Sequence, residues 1–367
     1  MTGKGARVTQ AGNRFEVLHE FLAPARRNLI AGTWDYLMGG AETETTLIRN
    51  RMAIDSLAFR PRVLRDVENV DIGGKILGRD FKLPVILAPI GSLQDLVPDG
   101  GVIPTKAAAS FGALHMLSSV CAPGAEEVAA AAPGYPKVFQ LYIRGDEKWV
   151  DDNIARVVAS GYMALCFTVD LDHYGRRERD LSRRFKTTGR RRASADHFQA
   201  RFTWRDIDRV KSKLKIPLIL KGIATAEDAR IAVEHGVDAV YVSNHGGRQL
   251  DHGKGGLDVL PEVVEAIGGK AEIYVDGGFM RGTDIVKAMA LGANAVGIGR
   301  LQGLAVAAAG EEGVVRMLEL LADEVTRCLG LLGVSSYGEL DSSYLAKVDP
   351  IGRRAYASAF PLLDEGY

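Results

Sequence analysis

The chain has 367 residues, and its 46 Lys and Arg residues balance 46 Asp and Glu residues, so no net charge favours a nucleic-acid partner. Its three cysteines, Cys121, Cys166 and Cys328, are widely separated, which argues against a disulfide framework or zinc site and predicts reduced packing residues. The polar segment 1–16 lacks an apolar signal core, and no apolar run reaches the ~18 residues that span a bilayer. We therefore expect a cytoplasmic protein that binds small molecules and no metal.

The first part of the chain, residues 1–82, is predicted to form a helical cap. After a frayed start of about 15 residues, apolar residues with helical spacing begin near Val17. The second helix is expected to end at the glycine pair Gly39-Gly40. The segment from Ile72 to Phe81 alternates around glycines, which predicts a hairpin that closes the bottom of a barrel.

From Leu83 onward, short apolar runs alternate with alanine-rich amphipathic segments that are long enough for crossover helices. Eight runs end in polar residues or glycine: Pro84 to Ala88, Leu114 to Leu117, Val138 to Tyr142, Leu165 to Val169, Pro217 to Leu220, Ala239 to Val242, Ile273 to Val275 and Ala295 to Ile298. This alternation predicts an α/β fold with a parallel sheet, and eight units predict a (β/α)8 TIM barrel over residues 83–334. A doubly wound sheet is the alternative, but no GxGxxG follows the first run.

Two segments fall outside the repeat. The stretch from Asp180 to Trp204 is rich in arginine and poor in apolar residues, so it is predicted to be a mobile loop over the fourth barrel strand. It is either a solvated surface loop or a lid over an anionic substrate. After an amphipathic helix from Glu311 to Leu332, the tail 335–367 retains apolar residues and is expected to pack on the barrel wall or on a neighbouring subunit. Cap, barrel and tail together are predicted to form one domain.

The active site of a closed barrel lies at the carboxyl ends of its strands. The most informative motif there is Tyr241 to Asp251, in which an apolar strand stops at a glycine-containing turn that holds His245 and Arg248. A base beside a permanent cation suits an anionic substrate, although a histidine in a turn is often structural. Asp170 ends the fourth run, and a carboxylate placed against His245 would stabilise the imidazolium.

The ends of the last two runs have the composition of a barrel phosphate site. Asp276-Gly277-Gly278 and Gly299-Arg300 combine glycine amides with a permanent cation. Lys221 ends the fifth run, where a buried ammonium group requires an anion nearby. The two glycine-containing ends predict a ligand or cofactor that carries a phosphate, and Lys221 predicts an anionic group.

The eleven residues from Tyr241 to Asp251 closely resemble the signature of the FMN-dependent α-hydroxy acid oxidase and dehydrogenase family, and the segment from Val275 to Arg300 supports the match. The resemblance extends from about Phe21 to Leu345. It implies noncovalent FMN, oxidation of an (S)-2-hydroxy acid to the 2-oxo acid, and reoxidation of the flavin by oxygen or another acceptor. It also implies a homo-oligomer, expected to be a tetramer. Whether the proton leaves the α-carbon or the hydroxyl stays open at this point.

The resemblance implies roles for residues that contact the substrate. The catalytic candidates are His245, Asp170, Arg248, Tyr142, Tyr36 and Arg177. His245, paired with Asp170, would take the proton. Arg248 and Tyr36 would hold the substrate carboxylate, and Tyr142 would bond the substrate hydroxyl or the developing carbonyl oxygen. Arg177 matches a family arginine near the substrate and the flavin.

The cofactor-binding candidates follow from the same resemblance. They are Pro89, Ile90, Gly91, Ser118, Gln140, Thr168, Lys221, Ser243, Asp276, Gly277, Gly278, Arg281, Gly299 and Arg300. Lys221 would stabilise negative charge on the flavin ring, and Ser118, Gln140 and Thr168 would bond its polar edge. Without the family match, these last three are equally explained as buried polar residues bonded to backbone.

The sequence departs from the family at two positions. The family usually has a basic residue two positions after the second glycine of the phosphate segment. Met280 stands there in this chain, so the phosphate is expected either to depend on Arg281 or Arg300 or to be bound more weakly. Glycolate oxidase-like members have a tryptophan after the paired serines, where this chain has Val120. This exchange predicts a pocket for a medium-sized or aromatic acid, unless the 180–204 segment refills it.

Two other functions are compatible with parts of the sequence. An FMN barrel enzyme such as an isoprenoid diphosphate isomerase would share the phosphate site but would not need His245 and Arg248 beside Tyr36. A catalytically silent flavin-binding module would be expected to have lost at least one of Asp170, Lys221, His245 and Arg248, and all four are present.

Overall fold

A closed barrel of eight parallel strands forms the centre of the computed structural model, which describes residues 15–191, 197–350 and 356–360. The strands are, in chain order, β1 (Leu57–Phe59), β2 (Gly74–Ile76), β3 (Arg79–Phe81), β4 (Val85–Leu87), β5 (Leu114–Ser118), β6 (Lys137–Leu141), β7 (Ala164–Thr168), β8 (Leu218–Ile223), β9 (Ala239–Val242), β10 (Glu272–Val275), β11 (Ala295–Ile298) and β12 (Leu345–Lys347). Strands β4 to β11 pair in chain order, and β11 pairs with β4 to close the barrel. The predicted TIM barrel is therefore confirmed, and an open doubly wound sheet is excluded.

Helices surround this barrel. They are α1 (Leu22–Asn28), α2 (Ala31–Met38), α3 (Thr45–Asp55), α4 (Val102–Phe111), α5 (Ala125–Ala131), α6 (Glu147–Ala159), α7 (Glu178–Ser182), α8 (Thr188–Arg191), α9 (Trp204–Lys211), α10 (Ala226–Glu234), α11 (Gly256–Ile267), α12 (Gly282–Ala290) and α13 (Arg300–Leu332). Within the described ranges, no helix is both long and apolar enough to cross a membrane.

The barrel strands are apolar on both faces because each face is covered. Side chains such as Ile86, Met116 and Tyr241 fill the interior, while the other face packs against the helices. Ile76 and Phe81 of the β2–β3 hairpin join the interior cluster beside residues at the starts of the barrel strands. The hairpin thus closes the bottom of the barrel, as the sequence predicted, and leaves the carboxyl ends for a site.

Helix α13 is longer than the predicted segment from Glu311 to Leu332, because a first helical part begins directly after β11. Its two parts meet at Ala309 and Gly310, where Gly310 has a φ of 60° and interrupts the regular helix. Helix α9 was not predicted, since only Ile207 and Val210 of its residues are buried. Its capping box between Thr203 and Asp206 is the signal that could have located it.

The cap and the tail are joined by pairing that the sequence does not reveal. Strand β1 of the cap pairs antiparallel with β12 of the tail. Farther on, Phe360 is buried and its ring meets the imidazole of His19 edge to face at 5.4 Å. The described part of the tail therefore packs on its own chain. Pro361, Leu362 and Leu363, which carried part of the tail prediction, lie outside the described residues.

Candidate active site

A cavity of about 320 Å³ opens at the carboxyl ends of the barrel strands. Among the residues proposed from the sequence, those that line it are Tyr36, Pro89, Ile90, Gly91, Tyr142, Arg177, Lys221, His245, Arg248, Asp276, Gly277, Gly278, Gly299 and Arg300. Asp170, Ser118, Gln140, Thr168 and Ser243 are not among the lining residues; they stand at or next to the carboxyl ends of β5, β6, β7 and β9. The carboxyl ends of the strands thus bring together side chains that are remote in the sequence.

The turn after β9 has an unusual backbone. His245, Gly246 and Gly247 have φ values of 59°, 65° and 75°, in the left-handed region that non-glycine residues avoid. A Cβ atom at Gly247 would lie 2.5 Å from the amide nitrogen of Leu47 on α3, so a side chain there is excluded. The strain at His245 is of the kind that proteins retain where a side chain must point into a site.

The imidazole of His245 contacts a carboxylate on one side and a phenol on the other. Its Nδ1 lies 2.9 Å from Oδ1 of Asp170, and its Nε2 lies 3.3 Å from the Tyr142 hydroxyl. Burial lowers the pKa of His245, although the nearby Asp170 carboxylate acts in the opposite direction. His245 is therefore neutral at pH 7, and its Nε2 is available to accept a proton on the cavity side.

Arg248 and Tyr36 form one side of the cavity. Nη1 of Arg248 donates to the backbone oxygens of Tyr36 at 2.5 Å and Gly39 at 2.8 Å, and the guanidinium lies 4.7 Å from the centre of the Tyr36 ring. Burial raises the pKa of Tyr36 to about 12, so its hydroxyl stays protonated. Arg177 lies on the same side, where its Nη1 donates to the Tyr174 hydroxyl at 2.5 Å. Two cations and a phenol here suit a carboxylate.

Lys221 lies deeper in the barrel, within a buried polar cluster. Its Nζ is 2.9 Å from Oδ2 of Asp276 and donates to Oγ of Ser243 at 2.5 Å. Ser243 in turn donates to Asp276 at 2.7 Å and accepts from the backbone amide of His245 at 3.0 Å. Burial opposes the charge on Lys221, but the carboxylates of Asp276 and Asp170 outweigh it and hold the pKa above its usual value. The cluster therefore connects the Lys221 ammonium to the turn that holds His245.

Several buried polar atoms beside these groups lack a partner. Within the described part of the chain, both polar atoms of the Gln140 amide and the Thr168 hydroxyl make no hydrogen bond, and both side chains are almost fully buried. Burying such groups unbonded is unfavourable, so they indicate a ligand with donors and acceptors along one edge. They lie at the ends of β6 and β7.

Comparison with known proteins identifies the family. The model of the FMN-dependent dehydrogenase family matches residues 25–347. The chain belongs to this family. Glycolate oxidase of Spinacia oleracea is 36% identical to it over 351 residues, which cover 90% of this chain and 95% of that protein. The 4-hydroxymandelate oxidase of Amycolatopsis orientalis is 40% identical over 339 residues, covering 86% of this chain and 94% of that protein.

Solved structures lead to the same family. A structure of mandelate oxidase with benzoyl-formic acid superposes with a TM-score of 0.84 at 38% identity, covering 92% of this chain and 100% of that one. A second, of mandelate oxidase with (S)-2-phenylpropionate, has a TM-score of 0.83 at the same identity. The predicted FMN dependence and the enzyme class are confirmed by this membership.

The residues of this family member fit FMN. The unbonded Gln140 and Thr168 groups match the polar edge of a flavin ring, and the Lys221 ammonium suits a ring that gains negative charge. Gly277 and Gly278 have φ values of 107° and 86°, and a Cβ atom at Gly277 would lie 2.7 Å from Oδ1 of Asn50. Only glycine fits there, and this turn lines the same cavity as Gly299 and Arg300 at the start of α13, where a phosphate is favoured.

Arg281 does not reach the cavity, contrary to its predicted place beside the phosphate. It precedes α12, and its guanidinium pairs with Glu324 of α13, with Nε 2.9 Å from Oε1, while Nη1 donates to the backbone oxygen of Ala359. Met280 does line the cavity. Arg300 is the phosphate candidate that the structure brings there, and it donates to the backbone oxygen of Gly39 at 2.8 Å.

The described residues of the 180–204 segment, 180–191 and 197–204, lie around the cavity and include helices where the sequence predicted a loop. The segment contains α7 and α8, and Gln199 fastens it to the barrel by accepting from the amide of Ile143 at 2.8 Å and donating to the oxygen of Thr168 at 3.1 Å. Residues of this segment line the cavity, as a lid would. Arg192, part of the predicted basic run, lies outside the described residues.

Sequence reasoning missed several cavity residues. Arg144 and Arg190 line it from the loop after β6 and from α8. Asn50 supports it from α3 by exchanging side-chain hydrogen bonds with Asn244 at 2.9 and 2.7 Å. The position of Arg144, two residues after Tyr142 at a strand end, was a usable signal for it. Asn50 carried none, because its contacts span long stretches of sequence, and Arg190 was predicted only as part of the arginine-rich 180–204 segment.

Proposed function

We propose that this chain oxidises an (S)-2-hydroxy acid to the corresponding 2-oxo acid, with FMN as the group that accepts two electrons from the substrate. The observation that carries the proposal is the convergence of a neutral, carboxylate-paired His245 and of Arg248 with Tyr36 on one cavity. An isomerase has no need of this combination, and a silent module would have no reason to retain it. The family relatives described above are oxidases of such acids, which supports the same function.

Each side chain has a role in the proposed reaction that follows from its chemistry. Arg248 would bind the substrate carboxylate, with Arg177 beside it. The Tyr36 hydroxyl, which donates to the backbone oxygen of Gly91 at 2.7 Å, would exchange that bond for one to the carboxylate. The Tyr142 hydroxyl bonds the substrate oxygen, and His245 accepts a proton from the substrate through Nε2. Asp170 then stabilises the imidazolium through Nδ1, since a carboxylate favours the charged ring.

The cofactor would be held by the groups already described. Gln140, Thr168 and Ser118 would bond the polar edge of the ring, and Lys221 would face the part that becomes negative. The Gly277-Gly278 turn, Gly299 and Arg300 would hold the phosphate. Pro89, Ile90 and Gly91 would flank the ring from the end of β4.

Aerobic turnover tests this function. We expect each mole of substrate consumed to give one mole of 2-oxo acid and, if oxygen reoxidises the flavin, one mole of hydrogen peroxide. The oxidase names of the relatives support oxygen as the acceptor. Formation of 2-oxo acid only when an artificial electron acceptor is added would indicate a dehydrogenase. No 2-oxo acid under either condition would contradict the proposal.

We expect larger acids to be better substrates than glycolate, because Val120 lines the cavity where glycolate oxidase-like members have a tryptophan. Helix α8 refills part of this space, since a Cβ atom at Gly189 would lie 3.2 Å from that of Val120. Each further methylene should still raise kcat/KM by roughly fourfold, from ~0.8 kcal/mol of transfer free energy per CH₂. Steady-state kinetics with glycolate, lactate and 2-hydroxybutanoate measure the trend.

Two variants check that this trend arises at Val120. Val120→Leu should weaken the preference for the longer acids, because the added methylene occupies their space. Val158→Leu makes the same change on the exposed surface of α6 and should leave the ranking unaltered. Glycolate as the best substrate of the native protein would refute the pocket argument.

We also propose a homotetramer, as the resemblance implied. Its support is a set of exposed apolar side chains: Val63, Leu64 and Leu331 are 78%, 101% and 78% exposed. The backbone amide of Arg62 donates to the backbone oxygen of Leu332 at 3.1 Å. This hydrogen bond brings Val63 and Leu64 close to the end of α13, where Leu331 lies. Light scattering should give four times the chain mass of 39.6 kDa. A monomer would contradict the proposal, and Leu64→Asp should shift a tetramer to smaller species.

The cytoplasmic location stays a prediction, which cell fractionation would test.

A further inference from the structure

Apart from Arg300, the buried and half-buried arginines of the described residues fall into two groups according to their partners. Away from the cavity, the buried and half-buried arginines each form an ion pair with a carboxylate: Arg51, Arg179, Arg209, Arg281 and Arg316. Four arginines that line the cavity form no such pair within the described ranges: Arg144, Arg177, Arg190 and Arg248. Because a guanidinium removed from water without an anion is unfavourable, this group indicates anionic ligands.

One carboxylate does not account for four cations. Arg248 and Arg177 lie beside Tyr36 and Tyr174, on the side that the proposed function assigns to the carboxylate next to the reacting carbon. A bidentate guanidinium together with a phenol is sufficient for one carboxylate. Arg144 and Arg190 therefore remain without a ligand in that assignment.

These two arginines share another wall. Nη2 of Arg144 donates to the backbone oxygen of Gly189 at 3.3 Å, and Arg190 is the next residue of α8. Gly189 packs against Val120, so both cations border the side of the cavity that would receive the substrate side chain. The guanidinium of Arg190 also lies 4.1 Å from the centre of the Tyr174 ring, which fixes it toward the cavity.

The surrounding charges leave this wall positive. Asp172 also lines the cavity, but it is exposed and forms no ion pair with Arg144 or Arg190 in the described structure. Asp180 interacts with Arg190, Arg177 and Arg248 from behind the wall and forms an ion pair with none of them. Burial lowers the pKa of Arg144, as expected for a guanidinium without an anionic partner.

We propose that the side chain of the natural substrate carries a second carboxylate, which Arg144 and Arg190 bind on the Val120 side of the cavity. The inference rests on the proposed oxidation of a 2-hydroxy acid and specifies its substrate class as a 2-hydroxy dicarboxylic acid. A distal carboxylate of this kind gives the two arginines the anion that the protein itself does not supply. It also selects against neutral acids that are long enough to reach the two arginines, since these acids leave the cations desolvated.

The FMN-loaded enzyme can be tested with a chain-matched pair of acids. (S)-2-Hydroxyglutarate and (S)-2-hydroxy-5-methylhexanoate differ only in whether a carboxylate or an isopropyl group ends the side chain. We expect kcat/KM to favour the dicarboxylate by at least roughly tenfold, the effect of a charge-assisted hydrogen bond. Equal values, or a preference for the isopropyl compound, would overturn the inference.

Substitutions test whether Arg144 and Arg190 cause the preference for the dicarboxylate. Arg144→Met and Arg190→Met should each reduce the dicarboxylate-to-neutral ratio of kcat/KM by about tenfold, whereas Arg144→Lys should retain part of it. Arg184→Met removes a charge from the same segment at an exposed residue outside the cavity and should not change the ratio. A similar loss in Arg184→Met would show a general charge effect and contradict a defined subsite. If Arg144→Met does not fold, Arg190→Met makes the same test.

A binding measurement separates failure of the inference from failure of the function. 2-Oxoglutarate and 5-methyl-2-oxohexanoate are titrated into the oxidised holoenzyme, and the flavin absorbance gives each Kd without turnover. Tighter binding of 2-oxoglutarate, lost in Arg144→Met, supports the subsite even if no acid reduces the flavin, in which case only the proposed function fails. Equal binding of the two compounds, with flavin reduction by the neutral acid, retains the function and rejects the subsite.

Discussion

His245→Gln should abolish reduction of the bound flavin by substrate while FMN remains bound. The glutamine keeps a polar group of similar reach but has no basic nitrogen, so Nε2 no longer takes the proton and Asp170 has no imidazolium to stabilise. A general base contributes on the order of 10²- to 10⁴-fold, so the anaerobic reduction rate should fall by at least that factor. Stopped-flow absorbance of the flavin measures the rate, and the visible spectrum reports the bound cofactor.

The chain offers a matched control for this variant. His235 also pairs with an aspartate, since its Nδ1 lies 2.5 Å from Asp208, but this pair is on the surface beside Trp204. His235→Gln should leave the reduction rate unaltered. The native enzyme should also lose kcat/KM at acidic pH, with the midpoint below the ordinary histidine value of 6.5 because burial lowers the pKa of His245. Reduction at a near-normal rate in His245→Gln would mean that another group takes the proton.

Lys221→Met should give the largest loss of stability among single changes in the site. Without the ammonium, Asp276 and Asp170 remain as carboxylates in a closed cluster, and Asp276 loses a partner at 2.9 Å. Removing one partner of a buried ion pair costs about 3–5 kcal/mol in the free energy of unfolding. Denaturant unfolding of the FMN-free protein measures this loss without a contribution from the cofactor.

A second buried lysine provides the comparison. Lys137 at the start of β6 is also buried, but its Nζ donates to the backbone oxygens of Ala132 and Tyr135 and faces no carboxylate in the described ranges. Lys137→Met should therefore cost less. Combining Lys221→Met with Asp276→Asn should recover part of the stability, because the amide leaves no charge unpaired. Equal losses in the two single variants would show that the ion pair is not the cause.

The strands could be predicted from the sequence because burial on both faces gives each barrel strand a short continuous apolar run, and residues at the run ends must then meet at one rim. The sequence therefore predicted that Asp170, Lys221 and His245 lie at one rim, although they are far apart in the chain. The positions of Pro89 and Arg300 on the cavity follow from the same reasoning.

What the sequence did not reveal depends on contacts between remote segments that have no repeating pattern. Arg281 faces Glu324, 43 residues away, and nothing near either residue indicates that pair. The pairing of β1 with β12 is of the same kind. Arg190 was predicted only as one charge in a basic run, because its position on the cavity follows from the packing of Gly189 against Val120.

The most direct test of the central claim is an anaerobic titration of the FMN-loaded protein with glycolate and with the (S) forms of lactate, mandelate and 2-hydroxyglutarate. We expect at least one acid to bleach the flavin absorbance stoichiometrically and to leave one mole of 2-oxo acid per mole of flavin. Protein that fails to bind FMN, or bound flavin that none of these acids reduces, would contradict the account.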